Sequence, residues 1–232
     1  MATIINVARW AGVKYFPHRL RIGYCTESGV LRTSKLERFS MPLSASPKIA
    51  RNLTVNLSAT AYRANNVFAN QGAIGSAVWY DPTRPVYSGD TSAYGGYHEW
   101  KLPTGNLSNL SPRNPMGLLN LREDIGTNDR LIANVLFDYK PFSETDLHMY
   151  LNVGGDFGQN RGTVVVPDYA AMSFVNGGEN NRYYNFRTNQ LLEAYANYKK
   201  DLAGGKVKTD WTGGYSFQKW RSYAENLPSL RF

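Results

Sequence analysis

The sequence predicts an all-β protein, and more narrowly a segment of an antiparallel transmembrane β-barrel with long extracellular loops. Three observations support this fold class. Apolar and polar residues alternate with a period of two in several segments, as they do in strands with one apolar face. The longer segments are about ten residues long, which is the length that a tilted strand needs to cross a bilayer. Short and long connections alternate along the chain, as in membrane barrels.

The clearest alternation lies at 52–61, where Leu53, Val55 and Leu57 share one face while Thr54 and Asn56 lie on the other. The same pattern predicts further strands at 19–25, 38–44, 130–139, 147–156, 188–198 and 207–217, and a partial strand from Ile4 to Trp10. The polar face carries mostly Ser, Thr, Asn and Tyr, which is typical of a water-filled lumen. The chain therefore offers about seven or eight strands of a barrel wall.

The connections between these strands fall into two groups. Short turns are predicted at 46–51, 140–146 and 199–206. Longer connections are predicted at 26–35, 63–129 and 157–187. Because antiparallel strands reverse direction at each connection, all the long ones lie at one end of the sheet. We therefore predict that residues 1–232 form a partial barrel in which 63–129 and 157–187 are the long extracellular loops.

Composition and motifs exclude several classes of function. The net charge is +8, but the 26 Lys and Arg residues are scattered and no nucleic-acid-binding motif accompanies them, so no nucleic-acid partner is expected. Cys25 is the only cysteine, which excludes an internal disulfide and a thiolate metal site. The three histidines lie far apart in sequence and suggest neither a metal-ligand pair nor a catalytic triad. We expect no catalytic residue, no metal, no cofactor and no enzymatic activity.

The N-terminus lacks the basic and apolar regions of a secretory signal peptide. No window contains the roughly 18 apolar residues of a membrane helix, so the membrane assignment rests on strands. Aromatic residues near the strand ends are interpreted as an interfacial girdle; they are Tyr24, Tyr139, Tyr198, Trp211 and Tyr215.

The two long loops are the chemically suggestive regions. They combine aromatic rings with carboxylate, amide and guanidinium groups, a composition that suits the hydroxyls of a sugar or the backbone of a peptide. The candidate ligand or partner contacts are Trp79, Tyr80, Asp81, Arg84, Tyr87, Tyr94, Tyr97 and Trp100 in the first loop, and Arg161, Asp168, Tyr169, Arg182 and Tyr183 in the second. Alternatively, these aromatics pack the loop onto itself. The apolar run 72–80 predicts one short helix inside the first loop.

Several peptides, in order along the chain, carry a resemblance to a known family. They are Gly23-Tyr24, 27–38, Phe68-Ala-Asn-Gln-Gly-Ala-Ile-Gly-Ser-Ala77, Asp81-Pro-Thr-Arg-Pro-Val-Tyr87, Tyr94-Gly-Gly-Tyr97, Pro112-Arg-Asn-Pro115, Asn134-Val-Leu-Phe-Asp-Tyr139 and Gly213-Gly-Tyr-Ser-Phe-Gln218. Over 12–232, the chain resembles the SusC/RagA-type TonB-linked outer-membrane receptors of Bacteroidetes.

The resemblance implies a barrel of about 22 strands, filled by an N-terminal plug and opened by energy from TonB. It also implies import of glycans or peptides captured with a SusD-like surface lipoprotein, in the outer membrane of a Bacteroidetes-like bacterium. Because the chain offers fewer strands and no plug-like segment, we expect an internal fragment without the plug domain. Its partners would be the rest of the barrel and plug, the TonB complex through the missing N-terminal part, the SusD-like lipoprotein and outer-membrane lipid.

Two alternatives stay open on the sequence alone. The first is a free-standing barrel of about eight strands, acting as an adhesin or structural outer-membrane protein. The second is a soluble carbohydrate-binding β-sandwich that uses the aromatic loops, because its strands would alternate in the same way.

Overall fold

The computed structural model describes residues 2–13, 16–90, 93–202 and 207–227. Strands dominate, as the alternating pattern predicts. They are β1 Ala2–Val13, β2 Phe16–Ser28, β3 Lys35–Ala45, β4 Lys48–Ala50, β5 Leu53–Val67, β6 Glu123–Tyr139, β7 Asp146–Val166, β8 Glu179–Leu202 and β9 Val207–Leu227. Two helices, α1 Gly72–Trp79 and α2 Pro115–Asn120, lie between β5 and β6. No helix in this part of the chain is both long and apolar enough to cross a membrane.

The strands form one 9-stranded antiparallel sheet in which neighbours in sequence are neighbours in space. The order is β1-β2-β3-β5-β6-β7-β8-β9, and the short β4 pairs with β5 beside the main path. Within the described residues the sheet is open, since β1 pairs only with β2 and β9 only with β8. This arrangement contradicts a closed eight-stranded barrel, which needs its first and last strands to pair. The described strands also form no second sheet facing the first, which a sandwich requires.

The register places most apolar residues of the strands on one face, although Ile132, Leu136 and Leu191 lie on the other. One row across the sheet runs from Leu57 through Val135, Val153 and Leu192 to Phe217, each paired with the next. The parallel row on the other face is mostly polar and includes Asn56, Asn152, Glu193 and Ser216. Large hydrophobic side chains on the apolar face stay exposed, for example Val153 at 44%. Such a surface is stable in lipid and costly in water, so the apolar face is the lipid face of a barrel wall.

The apolar band covers only part of each long strand. On β7 it extends from Leu147 to Phe157, and the same face then continues with Gln159 and Arg161. The strands themselves reach 17 residues in β6, 21 in β7 and 24 in β8, whereas about ten residues cross a bilayer. The sheet therefore extends well past the lipid band at one end.

This extension corrects the predicted loop boundaries. The prediction of a loop over 157–187 is wrong, because 157–166 belong to β7 and 179–187 to β8, which leaves a connection of 167–178. The first long connection is 68–122 instead of 63–129, and the medium one is 29–34 instead of 26–35. Alternation of apolar residues ends where lipid ends, but backbone pairing continues in water, so the sequence pattern shows only the membrane-spanning part of each strand.

The connections still separate by length as predicted. Those at 29–34, 68–122 and 167–178 share one end of the sheet, called the loop end below. The opposite end has the turns 46–52 and 140–145. The predicted turn 199–206 falls partly on residues outside the described ranges. The five predicted girdle aromatics all lie on the apolar face, and Tyr198 pairs with Trp211 near the turn end. Tyr215 lies opposite Ala194, inside the band instead of at its edge.

Candidate functional site: a packed cap of loops

The described parts of the three connections at the loop end pack together into one unit, which we call the loop cap (29–34, 68–90, 93–122 and 167–178). Its hydrophobic centre consists of Ala73 of α1 with Leu118 and Leu119 of α2. Leu31 of the first connection and Met172 of the third pack against this centre. The predicted helix at 72–80 is confirmed, and its buried residue is Ala73. Shared burial makes the loops a preformed structure instead of independent segments.

Asn114 is the polar centre of the loop cap and is only 1% exposed. Its side-chain oxygen accepts hydrogen bonds from the backbone N–H groups of Met116 and Gly117, at 3.0 and 3.3 Å, which caps α2. Its side-chain nitrogen donates to the carbonyl oxygens of Val86 and His98, at 2.8 and 3.2 Å. One side chain thus ties α2 to two strands of the loop.

Those two strands form a small hairpin that brings aromatic residues together. Ser88 N–H donates to the carbonyl of Gly96 at 2.9 Å, and His98 N–H donates to that of Val86 at 3.0 Å. Tyr87 and Tyr97 lie between these bonds as a bridged pair, with ring centroids 5.4 Å apart. The hydroxyl of Tyr97 also accepts a hydrogen bond of 2.8 Å from Asn120 at the end of α2.

Glu99 is a buried carboxylate beneath this hairpin, 7% exposed. One oxygen accepts a hydrogen bond of 3.0 Å from the backbone N–H of Asn114. The other, Oε2, has no hydrogen-bond partner and lies 4.0 Å from the guanidinium of Arg113. Burial raises the pKa of Glu99 above its usual value, although the Asn114 N–H and Arg113 act in the opposite direction. The Tyr80 hydroxyl nearby also has a raised pKa, chiefly through burial and then through the charge of Glu99.

A pocket of about 320 Å³ opens beside Glu99. Arg84 lies over the ring of Trp100, 4.7 Å from its centroid, and Lys101 lies 5.5 Å from the ring centroid of Tyr94. These cation–π contacts hold flat apolar faces next to charged groups. The side chains that line the pocket include Arg84, Asp90, Tyr94, Tyr97, Trp100 and Lys101. This combination can bind a polar ligand that also has apolar faces, such as a sugar ring or a short peptide.

The connection 167–178 packs against one side of the Tyr87–Tyr97 hairpin. The ring of Tyr94 meets that of Phe174 edge-on at 5.4 Å. Gly95 adopts φ +65°, and a side chain there would come within 3.1 Å of Leu121 and 3.4 Å of Tyr169. Glycine is needed at this position both for its left-handed backbone and for the close approach.

The structure places most candidate residues of the first loop around one pocket. Around the pocket and its supporting hairpin lie Tyr80, Arg84, Tyr87, Tyr94, Tyr97 and Trp100. Asp81 accepts hydrogen bonds from the backbone and hydroxyl of Thr83, at 2.9 and 2.8 Å, and is 3.9 Å from Arg84. Asp81 therefore shapes a turn that positions Arg84. Trp79, at 80% exposure, projects from the end of α1.

The second-loop candidates do not form a common site. Asp168 accepts from the backbone N–H of its neighbour Tyr169, so it shapes a turn. Arg161 and Arg182 belong to strands β7 and β8 and share the face of the lipid band, beyond its apolar part. Tyr183 lies on the opposite face, against Gly126 and Gly162. The incorrect loop boundary explains this misplacement.

Sequence reasoning missed the buried polar residues that organise the pocket, above all Asn114 and Glu99. For Asn114 the sequence does contain a recognisable pattern. Asn before Pro115 has the pattern of a helix N-cap followed by proline at the first helical position, and the structure has this geometry. Glu99 had no comparable local signal, because its burial depends on a contact with distant Asn114.

The polar face below the loop cap is lined with paired side chains. Arg130 donates to Asp156 at 2.7 Å, and Asn152 donates to Glu193 at 2.8 Å. His148 Nδ1 lies 2.8 Å from a carboxylate oxygen of Asp138. Paired charges and amides suit the wall of an aqueous lumen. Within the described ranges no cluster of three His, Cys, Asp or Glu residues could hold a metal ion.

Comparison with known proteins agrees with this architecture. No family model matches the chain. The TonB-dependent receptor SusC of Bacteroides thetaiotaomicron is 30% identical over 249 residues, covering 97% of this chain and 24% of the receptor. The chain thus spans about a quarter of the length of the curated relative it matches.

Solved structures show the same fold. The structure of the RagAB peptide transporter matches with a TM-score of 0.68 at 15% identity, over 97% of this chain and 25% of that chain. The open-open state of the RagAB peptide importer matches with a TM-score of 0.65 at 16% identity, over 95% of this chain and 25% of that chain. These relatives are named as a receptor and as transporters, in agreement with the expectation that the chain is not an enzyme. In sequence and in fold, the chain corresponds to a β-barrel segment of a SusC/RagA-type TonB-dependent receptor.

Proposed function

We propose that this chain forms part of the barrel wall of a TonB-dependent outer-membrane nutrient importer, and that its loop cap contacts the incoming glycan or peptide. The match to a TonB-dependent receptor over 97% of the chain supports the importer. The pocket beside Trp100 and Glu99 supports the loop cap as the contact region. The whole receptor would capture the ligand with a SusD-like lipoprotein, and TonB would drive its passage past the plug and through the lumen.

The single observation that carries the proposal for the loop cap is its preformed pocket. Asn114 and the Tyr87–Tyr97 pair hold the pocket walls before any ligand arrives. Preorganised walls bind more tightly because less side-chain and backbone freedom is lost on binding. A peptide would be compatible with the likeness to structures named as a peptide transporter, and stacked aromatic faces suit a sugar equally.

The test is nutrient uptake by cells that depend on the outer-membrane protein containing this chain. Growth on defined oligosaccharides or oligopeptides as the sole nutrient should require both this protein and TonB. Trp100→Ala should lower ligand affinity by about tenfold or more, as truncation of a central aromatic contact does. Trp79→Ala is the matched control, since Trp79 projects from α1 at 80% exposure outside the pocket.

A second measurement separates ligand contact from partner contact. If Trp100→Ala reduces uptake but a SusD-like lipoprotein still copurifies, the pocket contacts the ligand. If copurification is lost while ligand affinity is unchanged, the loop cap contacts the SusD-like partner instead of the ligand. Uptake independent of TonB, or equal losses from Trp79→Ala and Trp100→Ala, would contradict the proposal.

A further inference from the structure

A groove of about 700 Å³ crosses the lipid face where its apolar band ends on the side of the loop end. Its lower part is a paired row in which small Ala61 lies between Met41 and Leu131, with Phe157 next to Leu131. Because alanine is shorter than its neighbours, the row has a depression at its centre. The depression is apolar and exposed, at the depth where lipid chains surround the barrel.

The next row toward the loop end adds charge to this groove. Phe39 pairs with Arg63, Arg63 with Asp129, Asp129 with Gln159, and Gln159 with Phe186. An ion pair thus lies between two phenylalanines, at the transition from apolar to polar surface. Aromatic rings flanking charged groups are typical of the interface between lipid chains and headgroups.

The charges at this position do not balance. Arg63 donates two hydrogen bonds to Asp129, the longer one 3.1 Å, and a nitrogen of Arg161 lies 3.9 Å from the same carboxylate. The side chains of Arg63 and Arg161 are 58% and 56% exposed. Two exposed guanidinium groups around one carboxylate leave one net positive charge on this part of the surface. A guanidinium group can bind phosphate oxygens through paired N–H bonds, so an exposed cluster of this kind suits a phosphate group.

We propose that this groove binds one anionic, phosphate-bearing lipid. Its phosphate would lie against Arg63 and Arg161, and one acyl chain would occupy the depression over Ala61. Charge complementarity selects the headgroup, and the apolar row below it selects the chain. Arg161, a candidate ligand or partner contact from the sequence, would instead anchor the barrel in the surrounding lipid.

The test counts lipid bound to the detergent-solubilised outer-membrane protein that contains this chain, by native mass spectrometry. Dioleoyl phosphatidic acid is compared with neutral dioleoyl phosphatidylcholine. Phosphatidic acid should bind more tightly, and Arg161→Gln should weaken it about tenfold, as the loss of one charge-assisted hydrogen bond does. Arg187→Gln is the matched control, because Arg187 lies on the polar face of β8.

A second pair of variants tests the acyl-chain part of the site. Ala61→Phe fills the depression without changing charge and should lower phosphatidic acid binding several-fold. Ala194→Phe, on the same face outside the groove, should not. Equal binding of the two lipids, no effect of Ala61→Phe, or full displacement by inorganic phosphate alone would overturn the proposal.

Discussion

Asn114 joins α2 to both strands of the Tyr87–Tyr97 hairpin, and we expect Asn114→Ala to open the loop cap. The change removes two capping bonds and two bonds to backbone carbonyls, at a combined cost of roughly 2–4 kcal/mol. Hydrogen exchange of 84–120 should accelerate while that of β6–β8 stays unchanged. Asn106→Ala, at an exposed position of the same loop, is the control and should have no comparable effect.

Glu99 makes the stability of the loop cap depend on pH. Its pKa is raised in the folded state, mainly by burial, so the folded cap holds the proton more tightly than the unfolded cap. The resulting stabilisation is complete below the unfolded pKa of about 4.3 and is lost as the pH rises through the folded pKa. Protection of the Asn114 amide, corrected for intrinsic exchange, should therefore be greater at acidic pH than at neutral pH.

The variant Glu99→Gln tests the same group directly. Glutamine keeps an oxygen that accepts from the Asn114 N–H but carries no charge. Its loop cap should have the protection of the acidic wild type at every pH. Glu144→Gln, at an exposed turn position, should leave the pH dependence as it is, and an unchanged pH dependence in Glu99→Gln would contradict this assignment.

At the scale of the element, each strand meets lipid on one face and water on the other. Leu151→Arg places a charge in the apolar band of β7, where the cost is about 2–4 kcal/mol at the bilayer midplane. Gln218→Arg on the polar face of β9 should cost far less, since that side chain faces the lumen. Denaturant unfolding of the lipid-embedded protein measures the difference. A similar loss of unfolding free energy in both variants would show that the lipid face and the lumen face are wrongly assigned.

The long strands β6–β9 also carry structure beyond the membrane. The extensions of β6, β7 and β8 bring the end of 68–122 close to 167–178, and residues of both connections pack in the loop cap. A loop that began at the membrane surface would have far more freedom and would lose more entropy on ordering.

At the scale of the whole molecule, the loop cap couples two distant connections through Tyr94 and Phe174. An edge-on aromatic pair contributes about 0.5–1.5 kcal/mol beyond simple burial. We therefore expect Tyr94→Ala and Phe174→Ala to be non-additive by this amount. A double-mutant cycle on hydrogen exchange of the loop cap measures the coupling. The pair Tyr94→Ala with Trp79→Ala is the control and should be additive, since Trp79 projects outward.

The open edges of the sheet determine whether this chain can fold by itself in a membrane. β1 and β9 each lack a second neighbour among the described strands, and unpaired backbone groups are not tolerated in lipid. The chain expressed alone should therefore form no heat-modifiable, protease-resistant monomer in vesicles. A folded monomer with ion-conducting activity would contradict this expectation.

The sequence was sufficient for the lipid-crossing part of the fold. Alternation at 52–61, 130–139 and 147–156 marks the residues that share a face, because a strand places successive side chains on opposite sides. The same pattern predicted the strand at Ile4–Trp10, which lies inside β1. The order of short and long connections then followed from antiparallel pairing, and the structure has that order.

Other features depended on contacts between residues distant in sequence. The partners of the Asn114 side-chain nitrogen lie 16 to 34 residues away, and no periodicity encodes such a contact. The ends of β7 and β8 lie beyond the lipid band. The buried Val164 and Val166 at the end of β7 lie on the face opposite the lipid face, so the apolar alternation does not continue there and only backbone pairing reveals the strand. Lipid contact imposes a pattern on the sequence that can be recognised directly. The loop cap and the strand extensions impose none, and the tertiary structure alone decided where they lie.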